Sequence, residues 1–152
     1  MPTDETEPRT ATNSKGMTTQ HLSIEGYWNV TVVYDVCPSD LQEVARLMRR
    51  VGAIQKMIDE AAENLSGWNA GYTLTAFGWK ESIVFIGRAT SLREFLNTVI
   101  HEVDHVQAHV AEYYDVRLGS EQAAYLQGYI GGRLMEFIVR QILIKQQSTD
   151  KL

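Results

Sequence analysis

A single cysteine, Cys37, stands in a chain of 152 residues. It cannot close an internal disulfide. With Pro38 beside it and no CxxC partner, redox chemistry and cysteine-rich zinc modules are excluded, and Cys37 reads as a small half-buried apolar residue. Cationic charge is also scarce: 14 Lys+Arg face 19 Asp+Glu, a formal net charge of -5. The basic residues are scattered rather than drawn into a stripe that tracks phosphates, which argues against nucleic acid as a partner. No apolar run approaches the roughly 20 residues that span a bilayer, and the start of the chain lacks the basic-then-apolar pattern of a secretory signal. A chain without membrane partners that stays in the cytoplasm is expected. No internal repeat is found.

What is present is a globular composition, 44% apolar and 22% charged. At this length it predicts one domain with one core that folds without a disulfide or a structural metal, so a metal found here needs a functional reason. Residues 1–23 are rich in Thr, Glu, Asp and Asn and poor in apolar groups, which predicts a flexible tail. The domain is expected over 24–145, and 146–152 as a frayed end.

From Gly26 the pattern changes. Trp28, Val30, Val32 and Tyr34 alternate with Asn29, Thr31 and Val33, the period of two of a strand with one better-buried face. Pro38 stops it, and Ser39 with Gln42 forms a capping box that opens a helix running to about Asn64, with Gly52 as a soft point. Tyr72, Leu74 and Ala76 alternate with Thr73, Thr75 and Phe77 before a turn at 78–81, and Ser82 to Gly87 follows as the second arm of a hairpin. Ser91 and Glu94 make another capping box, opening a helix to about Tyr114. Gly119-Ser120 interrupts, and an apolar helix runs from about Glu121 to Ile144. The fold class is α+β in the order β-α-β-β-α-α.

Inside the fifth element stands His101-Glu102-Val103-Asp104-His105, an HExxH pattern. Histidines four apart on a helix point the same way about one turn apart, so both imidazoles can grip one ion. Zinc held by three protein ligands keeps a fourth position for water and brings that water's pKa to about 7, and the neighbouring glutamate is the natural general base for it. On the helical wheel Leu92, Leu96, Val99, Val103, Val106 and Val110 make an apolar stripe facing the sheet. His101 and His105 lie opposite, with Glu94, Asn97 and Glu112.

The last helix is apolar nearly all round and needs cover on more than one side, for which the histidine helix is the nearest candidate. Glu121, Tyr125, Gly128 and Gly132 recur along one stripe of it. Glycine costs about 1 kcal/mol within a helix, so two on one stripe suggest a close approach by a backbone or ligand, with Glu121 opening a cleft as a third ligand.

HExxH followed by a helix bearing Glu121-Gln122-Ala123-Ala124 resembles the gluzincin type of zinc metallopeptidase. The likeness spans Trp28 to Ile144 in element order and His101 to Ala124 in motif. It implies a small zincin-like domain, with the active-site helix packed on a small sheet and a C-terminal helix. It further implies His101, His105 and Glu121 as zinc ligands, Glu102 as base, and hydrolysis of peptide bonds in a peptide or protein substrate. More loosely, the run from Phe85-Ile86-Gly87 through the HExxH helix to Ala124-Tyr125-Leu126 is similar to small zincin-like proteins of gut bacteria and their phages.

Two departures from the pattern matter. Only 15 residues separate His105 from Glu121. In straight antiparallel helices the carboxylate would lie about 15 Å along the axis, so ligation needs a steep crossing or an early helix end, with Glu136 as the fallback. Tyr125 stands where many gluzincins carry an acidic residue; it is expected either to orient a ligand histidine or to donate to an oxyanion. His109, about 12 Å along the axis from His101, is expected as a surface histidine. Asp104 and Asp115 are expected to be solvated or capping. Substrate is expected to lie along an edge strand, Ser82 to Gly87, by β-augmentation. The competing expectation is a zincin-fold binding or structural protein without turnover, phage-encoded or host-interacting.

Overall fold

The computed structural model describes residues 9–10 and 16–144. The expected frayed end at 146–152 and residues 1–8 and 11–15 of the expected tail lie outside the described residues. The elements are β1 (Arg9–Thr10), β2 (Thr18–Ile24), β3 (Trp28–Val36), α1 (Leu41–Arg50), α2 (Gln55–Asn64), β4 (Gly71–Ala76), β5 (Glu81–Gly87), α3 (Leu92–Tyr113) and α4 (Glu121–Phe137). The last helix continues as a π-helical turn, Ile138–Leu143. The fold is α+β, as expected.

The five strands lie in the order β1-β2-β3-β5-β4. All neighbours are antiparallel except the central pair, β3 and β5, which run parallel. Period-two alternation then divides the side chains between two layers. Trp28, Val30, Val32 and Tyr34 of β3 with Val84 and Ile86 of β5 pack under Val99, Val103, Val106 and Val110 of α3 and Ile130, Leu134 and Phe137 of the last helix. On the opposite face Val33, Val36, Ile83, Phe85 and Leu74 pack on Val44, Met48, Ile58 and Ala61 of α1 and α2. The sheet is therefore the middle of three layers, with α3 and α4 on one side and α1 and α2 on the other. The valine stripe of α3 faces the sheet as expected, but Leu92 at its start is exposed and Leu96 only half-buried.

Several boundaries differ from the expectation. Residues 18–23, expected in the tail, form most of β2, which pairs with β3 along its whole length from Thr18 opposite Tyr34 to Ile24 opposite Trp28. Its buried side chains are Gln20, Leu22 and Ile24. Gln20 is held by hydrogen bonds rather than by apolar contact, accepting from the Tyr34 hydroxyl at 2.7 Å and donating to the Arg133 carbonyl at 3.3 Å.

The single helix expected over 39–64 is two, because Gly52 adopts φ +86, outside the right-handed helical region. Its entry is a short 3-10 turn, Pro38–Asp40, in which the Cys37 N–H donates to the Asp40 carboxylate at 2.9 Å, in place of the expected Ser39–Gln42 box. Ser91 does cap α3, accepting from the Glu94 N–H at 3.1 Å. Finally, Glu81–Gly87 is not an edge. It lies between β3 and β4, and β4 is an outer strand. No helix among the described residues is long and apolar enough to cross a membrane.

Candidate metal centre

With its valines buried on the sheet, α3 has two flanks. One faces the outer strand β4. There Thr98 donates to the Asn69 carbonyl at 3.4 Å, Thr73 Oγ1 of β4 donates to Glu102 Oε2 at 2.5 Å, and Thr75 Oγ1 meets His109 Nδ1 at 2.8 Å. The other flank faces α4, where the buried Gln107 donates to the Ala123 carbonyl at 3.3 Å. His101 and His105 lie on the outward side, both exposed.

Their Nε2 atoms stand 3.1 Å apart and their ring centroids 4.8 Å apart. The candidate ligand atoms of His101, Glu102 and His105 all lie within 4.8 Å of one another, and this is the group able to hold a metal among the described residues. Two nitrogens on a tetrahedral zinc, each at about 2.0–2.1 Å, are separated by about 3.4 Å, so the imidazole pair is close to what one ion requires. Two imidazoles beside a carboxylate are a donor set that suits zinc.

Glu102 is only 4% exposed. A buried carboxylate needs donors, and Thr73 supplies one. Room for it comes from Gly71, where an added Cβ would stand 2.8 Å from both Cγ and Oε1 of Glu102. Gly71, Thr73 and Thr75 are alternate residues of β4 and share its face toward α3. For the two threonines the sequence signal is the polar half of the alternation with Tyr72, Leu74 and Ala76, which by itself names no target because it does not say where α3 lies; Gly71 carries no such signal.

The α4 expectations are not met. Glu121, Tyr125, Gly128 and Gly132 are all exposed, and the buried residues of that helix are Ala123, Ile130, Leu134 and Phe137. Tyr125 is 76% exposed, and a Cβ added to Gly128 or Gly132 would meet nothing within 4 Å. The stripe faces solvent and opens no cleft. Glu121 therefore stands outside the histidine group, and Glu136 is paired with Arg140 at 3.0 Å. The physical reason is rotational. Gln107 marks the side of α3 that meets α4, and His101 and His105 lie about 120–160° round the axis from it.

His109 also departs from its expected surface role. It is half-buried, hydrogen-bonded to Thr75 and 5.9 Å from the Phe77 ring. Burial, and then the neighbouring His105, push its pKa below the usual histidine value, against an opposing pull from Glu112. Asp104 is solvated, and Asp115, at φ 55, ends α3.

A cavity of about 850 Å³ lies elsewhere, between the N-terminal end of α3 and the C-terminal ends of β3 and β5, lined by Tyr34, Asp35, Ser91 and Phe95 among others. It contains none of the histidines. No protein-family model matches the chain, and neither the curated proteins nor the solved structures give a significant match.

Proposed function

We propose that the chain is a zinc-dependent peptidase of zincin-like architecture, with His101 and His105 as metal ligands and Glu102 as general base. One observation carries this reading: two imidazole nitrogens 3.1 Å apart beside a buried carboxylate that Thr73 and Gly71 hold in place. A bound zinc ion would supply Lewis acidity toward a carbonyl oxygen and acidify water at the site. Glu102 takes the proton of the attacking water and hands it to the leaving amine. The Thr73 hydroxyl occupies one carboxylate oxygen and Gly71 leaves room for the other, so the carboxylate is held beside the histidine pair.

Strand β4 supports a peptide as substrate. It is an outer strand of the sheet and runs beside Glu102, so an extended segment that added to its free edge would pass next to the base. The edge strand assigned to substrate is thus Gly71–Ala76 rather than Ser82 to Gly87.

A second reading, a metal-binding protein without turnover, is favoured by the orientation of Glu121 and Tyr125 toward solvent, which leaves the two histidines without a third ligand from α4 among the described residues. Elemental analysis and a peptide-library assay separate the two. The peptidase reading expects one zinc per chain, lost in His101→Ala and His105→Ala. It also expects Glu102→Gln to keep zinc while turnover falls by about 10²–10⁴-fold. Zinc without hydrolysis would leave the binding protein, and no stoichiometric metal would make the HExxH coincidental.

A further inference from the structure

Behind His109 runs a chain of hydrogen bonds, buried at its inner end and part-buried at Thr75 and His109. Trp28 Nε1 meets Ser82 Oγ at 3.1 Å, Ser82 Oγ meets Thr75 Oγ1 at 2.8 Å, and Thr75 Oγ1 meets His109 Nδ1 at 2.8 Å. Its direction follows from its first member. An indole N–H only donates, so it occupies a lone pair of Ser82. Ser82 is fully buried, and among the described residues the acceptor its own hydrogen meets is Thr75 Oγ1. Thr75 then accepts from Ser82, and among the described residues the one partner left for its own hydrogen is His109 Nδ1. A nitrogen that accepts carries no proton, so the ring proton sits on Nε2.

We infer that Trp28, Ser82 and Thr75 fix His109 as its Nε2–H tautomer, making it a hydrogen-bond donor beside the His101–His105 pair rather than the third metal ligand. A histidine that ligates a metal through Nε2 donates its Nδ1–H to a neighbouring acceptor. His109 has the reverse polarity, with Nδ1 accepting. Its ring stacks on that of His105, with centroids 6.2 Å apart and an interplanar angle of 27°, which places the donor on the same line of α3 as the ligands. Resting on the peptidase reading, the group this donor serves is a carbonyl oxygen of a peptide lying along β4.

The test begins with long-range ¹H–¹⁵N correlation spectra of the full chain labelled with ¹⁵N-histidine at pH 7.5. His109 is expected to show a protonated Nε2 and an unprotonated Nδ1, and Thr75→Val, which removes the donor without changing the shape, is expected to give a mixed tautomer. A dominant Nδ1–H form, or a spectrum that Thr75→Val leaves unchanged, would overturn the assignment. Zinc titration gives the second arm: His109→Gln should bind one zinc within about threefold of the wild-type affinity, and a loss of tenfold or more would make His109 a ligand.

The third arm is kinetic. Glutamine keeps an N–H near the position of Nε2, so His109→Gln should retain kcat/KM within about tenfold. His109→Leu should lose kcat by about 10²-fold with KM little changed, as for removal of one oxyanion donor. Equal losses in the two variants would remove the donor role. A wild type that turns over no peptide sinks the peptidase reading, while the spectra and the zinc titration still decide the tautomer.

Discussion

Glu102 is placed by an absent side chain. Because a Cβ on residue 71 would fall 2.8 Å from Glu102, Gly71→Ala forces the carboxylate out of its position or shifts β4. Overpacking of this kind costs about 1–3 kcal/mol. Urea unfolding should show the loss, and most of it should vanish in a Glu102→Ala background, since the clash is with that side chain. An equal penalty in both backgrounds would mean that backbone strain, not Glu102, makes glycine necessary. The histidine pair was legible in the sequence because i, i+4 spacing is a property of one helix. Gly71 and Thr73 were not, because their meeting with Glu102 depends on how the β4–β5 hairpin sits beside α3.

Tyr34 gives a residue-scale prediction in pH. Burial pushes its phenol well above the ordinary value, and its hydroxyl donates to Gln20 Oε1. The unfolded chain releases this proton from about pH 10 upward, while the folded chain keeps it. The contribution is therefore fully present below pH 10 and lost as pH rises. Between pH 9 and 11 the urea midpoint of the wild type should fall more steeply than that of Tyr34→Phe. At pH 7 that variant should be less stable by about 1–3 kcal/mol, since Gln20 Oε1 loses its donor. Parallel slopes would show that Tyr34 does not carry the alkaline loss.

At the scale of elements, glycines with opposite roles give opposite expectations. Gly52, at φ +86, breaks the helix expected over 39–64 into α1 and α2, and an alanine there is strained. Gly52→Ala should cost about 1–2 kcal/mol. Gly128 lies inside α4, and a Cβ there meets nothing within 4 Å. Gly128→Ala should therefore stabilise by about 0.5–1 kcal/mol, and a destabilisation would restore the close approach once expected along that stripe. Element existence was legible wherever one face is apolar, as in β3, the β4–β5 hairpin, α3 and α4. It failed at β2, where Thr18, Gln20, His21 and Ser23 give no apolar alternation. Gln20 is buried only because Tyr34 and the Arg133 carbonyl satisfy it.

For the whole molecule the informative feature is strand order. The α+β class follows from the succession of periodicities, but no local pattern states that β5 enters beside β3 in parallel while β4 is left on the outside. Strand β2 matters most to this arrangement, because it carries the outer part of α4. Besides Gln20 on the Arg133 carbonyl, Tyr129 of α4 donates to the Ser23 carbonyl at 3.1 Å, and Leu22 and Ile24 belong to the layer beneath that helix.

Removing residues 1–23, harmless if they were a tail, would strip all but the last residue of β2 and uncover β3 along Val30 and Val32. Burial of Leu22 alone is worth about 1.5–3 kcal/mol, and β3 loses its partners from Asn29 to Tyr34, against a total stability of about 5–15 kcal/mol for a domain of this kind. The truncated chain should therefore lose the cooperative urea transition and much of its near-ultraviolet circular dichroism. A truncated chain that unfolds cooperatively at the full-length midpoint would show that α4 packs on β3 without β2, and that the three-layer description is wrong on that side.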